Sequence, residues 1–155
     1  MSNFKVHIVD KNNHDHLKMI NDYEIKKRMP PVISNYIQSS EKTSDNEINL
    51  YLFTNQQNSI KDVCHLYGVK DIKICSIEYP IIKGIEESEK KIVIWATEYA
   101  ISVLGMEEVF VKVSPDNSQL KVFLQNNNYE NLGIEDRKII FLKENKKDYK
   151  RHIHI

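Results

Sequence analysis

The sequence predicts an α/β domain: a mixed, mostly antiparallel sheet flanked by helices. Three observations lead there. Runs of alternating apolar and polar residues fill the stretch from Ile48 to Glu78, as half-buried strands require. At Glu86 the apolar period changes from two to 3.6 and stays helical as far as Gly105. Between Met106 and Gly133 a strand, a capped helix and a second strand then follow in close succession.

In chain order, Phe4 to Val9 reads as a first strand and His14 to Ile20 as a short helix behind the capping residues Asn12 and Asn13. Glu24 to Met29 extends the helical region until Pro30-Pro31 stops it. A further short helix starts at Val32, with Ile33, Tyr36 and Ile37 on one side, and the polar run Ser39 to Glu47 reads as a loop. Ile48, Leu50 and Leu52 alternate with Asn49, Tyr51 and Phe53. Asn55 to Asn58 turns the chain into Ser59 to Tyr67, and Gly68 turns it again into Asp71 to Glu78, which makes a three-stranded meander.

The long helix from Glu86 carries Ile92, Ala96, Tyr99, Ala100 and Val103 along one stripe, and Gly105 ends it. Glu108 to Val113 is the next strand. Ser114-Pro115-Asp116-Asn117 supplies N-cap chemistry for a helix with Leu120, Phe123 and Leu124 inward, closed by Asn126 to Asn128, which tolerate the left-handed conformation. Arg137 to Lys143 is the last strand, paired with Asn128 to Leu132 or with the strand before the final helix. The expected core is Ile74, Ile92, Ala96, Tyr99, Ala100, Val103, Phe110, Leu120, Phe123, Leu124 and Phe141.

A chain of 155 residues with 41% hydrophobic residues suits a single domain spanning residues 1–155. With 22 basic and 22 acidic residues the net charge is zero, so no global field draws the chain to nucleic acid or anionic lipid, and neither is an expected partner. The basic tail Lys146 to Arg151 reads as a solvated chain end. The N-terminus lacks the pattern of a signal peptide, and Ile92 to Met106, the longest apolar region, is too short to span a bilayer. The expected location is cytoplasmic. Cys64 and Cys75 would lie opposite each other on a hairpin centred at Val69-Lys70, and in a reducing compartment they stay buried thiols. His65 then points to the other face from Cys64, and His152 with His154 lacks a further ligand, so no metal site is expected.

The segment Ile72 to Leu142 resembles the GNAT superfamily of N-acetyltransferases, and within it the subgroup similar to ribosomal-protein N-terminal acetyltransferases. Asn117 matches the family's Asn after a strand, Leu120 its small residue, Leu124 its Leu or Tyr, and Asn128-Tyr129 its Gly-Phe. Tyr99 to Gly105 is similar to the family's Tyr-Ala-Phe-x-x-Leu-Gly helix end. The resemblance implies a sheet splayed between strands four and five, and acetyl-CoA as donor to an amine-bearing acceptor by direct transfer in a ternary complex. Anchored on Pro80, the family's pyrophosphate turn falls on Lys83, Gly84, Ile85, Glu86, Glu87 and Ser88, with Lys83 in place of Arg, Glu86 in place of the middle Gly, and Ser88 in place of the small last residue. Glu86 and Glu87 bring negative charge to the niche where the family holds an anion at a helix N-terminus.

The same resemblance implies a base near strand four, for which Glu78 is the best-placed carboxylate, and a polar residue beside the coenzyme arm, Asn117. Leu124 cannot protonate a leaving thiolate as the Tyr of many members does. Tyr129 and Tyr79 are the alternatives for that role. Acceptor recognition falls to Asn21 through Glu47, and the chain is expected to act as a monomer or homodimer. The competing reading is a binding or interaction module of the same fold that has lost acetyl-CoA, with the cleft plugged by Glu86 or Trp95.

Overall fold

The computed structural model describes residues 5–28, 30–38, 45–56, 59–78 and 87–145; the side chains of Gln56 and residues 87–89 are outside that description. Residues 1–4 with Phe4 of the expected first strand, Met29, residues 39–44, residues 57–58, residues 79–86 with Tyr79, Pro80 and the expected pyrophosphate turn, and the tail with His152 and His154 lie outside it too.

Among the described residues seven strands form one sheet in the order β1-β2-β3-β4-β5-β7-β6. They are β1 (Lys5–Ile8), β2 (Glu47–Gln56), β3 (Ser59–Val69), β4 (Ile74–Glu78), β5 (Glu108–Val113), β6 (Glu130–Glu135) and β7 (Lys138–Glu144). Every pairing is antiparallel except β4 with β5. The helices are α1 (His14–Lys26), α2 (Val32–Gln38), α3 (Glu87–Ser102) and α4 (Ser118–Asn126). β7 takes both partners the sequence left open, lying between β5 and β6.

Each face of the sheet has its own core. Ile48, Leu52, Cys64, Leu66, Cys75, Ile77, Val109, Val111, Val113 and Phe141 pack with Ile92, Val93, Ala96 and Ala100 of α3 and Leu120 and Leu124 of α4. On the opposite face Tyr51, Phe53, Ile60 and Val63 pack with Ile20 and Tyr23 of α1 and Ile33 and Ile37 of α2. β2 therefore buries both sides, so Tyr51 and Phe53 are as enclosed as Ile48 and Leu52.

α1 runs unbroken from His14 to Lys26, joining the expected short helix to its expected extension. Its second half is held because Glu24, 2% exposed, caps α2 from across the helix pair: its carboxylate accepts from the Ile33 N–H (2.9 Å) and the Ser34 N–H (3.2 Å), and from the Ser34 hydroxyl. A buried carboxylate here satisfies orphan donors of a helix start. α4 follows the sequence closely. The Asn117 side chain accepts from the Leu120 N–H, and Asn128 closes the helix at φ 67°.

Several core expectations change. Val103 lies one residue past α3 and is 64% exposed. Phe110 sits on the opposite face of β5 from Val109, Val111 and Val113, and is only half-buried; Ile74 shares that position on β4, its neighbours Cys75 and Ile77 taking the core side. Tyr99 and Phe123 pack against the core without being fully buried.

Gly68 is not a turn residue. β3 runs on to Val69, and the turn occupies residues 70–73, where Lys73 adopts φ 57°. A Cβ at Gly68 would stand 2.3 Å from the Ile74 carbonyl oxygen and 2.6 Å from the Cys75 Cα, so the glycine permits close approach of β4. The longer β3 moves the hairpin centre. Gly68 faces Cys75 and Leu52 faces Cys64, so the cysteines are not opposite each other, and both are buried free thiols.

Gly68→Ala is expected to destabilise the fold by at least about 1–3 kcal/mol, since backbone rather than a flexible side chain must move. Val103→Ser should stay within about 0.5 kcal/mol of wild type. Urea unfolding of both variants checks the contrast.

Candidate active site

The C-terminal end of β4 collects the polar groups of the sheet. Because the strands are in fixed register, Tyr51 of β2, His65 of β3, Glu78 of β4, Lys112 of β5 and Ile140 of β7 form one row of direct neighbours. Tyr67 and Ser76 form the adjoining row on β3 and β4. Side-chain alternation puts these residues on the face away from α3, whose packing takes Cys64, Leu66, Cys75 and Ile77.

Glu78 is the hub. One carboxylate oxygen accepts from the Tyr67 hydroxyl at 3.0 Å, and the other pairs with Lys138 Nζ. Both members of the ion pair are about one-third exposed. Burial pushes the Glu78 carboxyl up, but the hydrogen bonds from Lys138 and Tyr67 and the charges of Lys138 and Lys112 outweigh it and hold the group below the ordinary carboxylate range. Lys112 Nζ lies over the Tyr67 ring, 5.3 Å from its centre.

The rings continue the site across β3 and β2. His65 stacks on Tyr51 with centroids 4.3 Å apart and meets Tyr67 at 4.8 Å. Its Nε2 is 2.6 Å from the Asn49 Oδ1. Tyr51 meets Tyr36 of α2, whose hydroxyl donates to the Asn49 carbonyl. On the other side of Glu78 an open groove of about 370 Å³ is lined by Ser76, Phe110, Lys112, Leu132, Glu135 and Ile140. The row thus joins an aromatic wall to a groove.

The residues singled out from sequence fall in different places. Glu78 and Lys112 end the parallel β4–β5 ladder, and the chain after Glu78 lies outside the described residues. Lys83, Gly84, Ile85 and Glu86 also lie outside them, whereas Glu87 and Ser88 form the backbone start of α3. That start fits an anionic group in position: a sixteen-residue helix opens there, and the first N–H groups of a helix lack intrahelical acceptors. Asn117 is 3% exposed at the cap of α4. Tyr129 is buried, its hydroxyl donates to Thr97 Oγ1 at 2.7 Å, and burial pushes the phenol up to about 12. It ties α3 to the start of β6. Trp95 stacks on Tyr99 along α3 and packs against the core.

Sequence reasoning missed Tyr67, Lys138, Asn49 and the pairing of His65 with Glu78. The alternation of β3 puts His65 and Tyr67 on one face. Their partner on β4 became readable only once the hairpin centre was known. Among the described residues no cluster of three His, Cys, Asp or Glu side chains could hold a metal, and no helix is long and apolar enough to cross a membrane.

The element order and the single parallel pair define the GNAT N-acetyltransferase fold. Solved structures share it. The N-acetyltransferase PseH of Campylobacter jejuni in complex with acetyl coenzyme A matches at TM-score 0.59 and 15% identity, covering 91% of this chain and 98% of that one. Mutant forms of the spermidine/spermine N-acetyltransferase SpeG of Vibrio cholerae match at TM-score 0.64 and 10% identity, covering 96% and 98%. The PaiA N-acetyltransferase of Thermoplasma acidophilum in complex with coenzyme A matches at TM-score 0.58 and 14% identity, covering 94% and 100%. No protein-family model and no curated protein matches the chain.

The lowered Glu78 pKa gives a stability signature. A carboxyl whose folded pKa lies below its unfolded value contributes stability above the unfolded value and loses it as pH falls through the folded one. Wild type should therefore lose more stability than Glu78→Gln between pH 7 and pH 3. Urea unfolding at the two pH values checks this; equal losses would show that the carboxylate gains nothing from its partners.

Proposed function

We propose that the chain is an acetyl-CoA-dependent N-acetyltransferase acting on a primary amine, either a small molecule or a peptide N-terminus, by direct transfer in a ternary complex. The observation that carries this reading is Glu78: an ionised carboxylate at the C-terminal end of β4, beside the parallel partner β5, in a fold shared with PseH and PaiA, whose structures hold acetyl-CoA or coenzyme A. The spacing of Asn117, Leu124 and Asn128-Tyr129 supports the finer placement beside the ribosomal-protein N-terminal acetyltransferases.

The donor, when bound, supplies an activated acetyl thioester for attack by the amine. Lys83, Gly84, Ile85, Glu86, Glu87 and Ser88, at and before the α3 N-terminus, would hold its pyrophosphate, with Asn117 near its arm. Glu78 draws the acceptor ammonium and favours its deprotonation, since only the neutral amine carries the lone pair that attacks. Lys138 and Tyr67 hold the carboxylate in place. The groove beside Lys112 receives the rest of the acceptor, where Phe110 and Leu132 offer apolar contact and Glu135 a second anion.

Thiol release from acetyl-CoA, measured with spermidine and with an alanine-initiated peptide, tests the reading. Wild type should release thiol in an amine-dependent manner with at least one of them, and Glu78→Gln should lose roughly 100-fold or more in kcat. Wild-type protein that is folded yet releases no thiol with either amine would favour the binding module instead.

A further inference from the structure

We propose that His65 accepts the amine's proton on Nδ1, with Asn49 fixing the tautomer and Glu78 stabilising the imidazolium that forms. The proposal rests on the acetyltransferase reading and names a second residue for its proton step. In that step the N–H bond of the ammonium breaks, its electron pair stays on nitrogen as the attacking lone pair, and the proton moves to Nδ1 and later to solvent.

Three features of the site carry it. His65 lies directly opposite Glu78 in the β3–β4 register, one strand from the β4–β5 pair, so both groups reach the same amine. An amide oxygen can only accept, and the Asn49 Oδ1 is 2.6 Å from Nε2, so Nε2 carries the hydrogen and Nδ1 keeps its lone pair. Among the described residues Nδ1 has no hydrogen-bond partner. The ring is clamped between Tyr51 and Tyr67, so it stays oriented without Nδ1 being used.

Charge supports the assignment. The groups facing the ring are Tyr51 and Asn49 from β2, Tyr67 from its own strand and Glu78 from β4, with Lys112 of β5 beyond Tyr67. Burial lowers the His65 pKa from its ordinary 6.5, and the Glu78 charge opposes this. The imidazole is thus neutral near pH 7 and free to accept. The Glu78 oxygens are already engaged by the Tyr67 hydroxyl and Lys138 Nζ, which hold the carboxyl below its ordinary range against the opposing effect of burial. Glu78 offers charge, and His65 offers the lone pair.

A purely structural His65 would fill space and stack. His65→Phe keeps a ring between Tyr51 and Tyr67, and His65→Gln keeps a donor for Asn49; neither restores an imidazole lone pair. Nitrogen-15 NMR of wild type should show His65 protonated on Nε2 when neutral, with a titration midpoint below 6.5 that falls further in Glu78→Gln. With acetyl-CoA and spermidine, both His65 variants should bind acetyl-CoA within about twofold of wild type by calorimetry. They should lose roughly 100-fold in kcat/KM near pH 7, together with the acid limb set by the imidazole. A neutral ring protonated on Nδ1, or variants that keep wild-type kcat/KM and the same acid limb, overturn the role of His65 while leaving the acetyltransferase reading standing. Wild-type protein that binds no acetyl-CoA overturns both.

Discussion

The parallel pairing of β4 with β5 is the constraint on which the rest of the molecule depends. Parallel neighbours cannot be joined by a tight turn, so the chain must leave the end of β4, cross the sheet and return to the start of β5. α3 is that crossover, and it is held by full burial of Ile92, Val93, Ala96 and Ala100 against both strands. The consequence is positional. The chain between the C-terminal end of β4, which carries Glu78, and the N-terminus of α3, the positive end of its dipole, is residues 79–86, outside the described residues. β5 then places Lys112 beside Glu78 and aligns β7, which brings in Lys138 from sixty residues away.

The two principal carboxylates show how environment divides labour. Glu24 is enclosed between α1 and α2 and spends its oxygens on the backbone of a helix start, a structural role with no access for a ligand. Glu78 is partly open, ionised, and held by a lysine and a phenol. An ion pair with this exposure contributes little to stability, because water screens it. Its effect is to fix where the charge points. The aromatic run Tyr36, Tyr51, His65 and Tyr67 serves a related purpose, giving the imidazole a rigid seat without using its second nitrogen.

The parts legible in the sequence were those set by local chemistry. The segment Met106 to Gly133 folds as read because the Asn117 cap, the Leu120 and Leu124 stripe and the left-handed Asn128 act within a few residues of one another. The family resemblance added the parallel pair, and with it the location of Glu78. What stayed hidden depended on contacts between distant strands. Gly68 has the residue type of a turn, yet its missing Cβ is used for the approach of β4; the resulting shift in register separates Cys64 from Cys75 and conceals His65 opposite Glu78. Phe110 has the residue type of a core position, but three valines on the other face of β5 claim the helices. Lys138 could be connected with Glu78 only after β7 had been placed beside β5.

The proposed function requires a coenzyme site at the α3 N-terminus despite Glu86, the acidic residue where the family pattern has glycine. Calorimetric titration of coenzyme A into wild type and Glu86→Gly at low salt tests it most directly. Two like charges about 4 Å apart repel by about 1 kcal/mol in water and about 4 kcal/mol at an effective dielectric of 20. Wild type should therefore bind, and the variant should bind tighter by roughly tenfold or more. Absence of binding by both proteins, with the variant still folded, would contradict the proposed function.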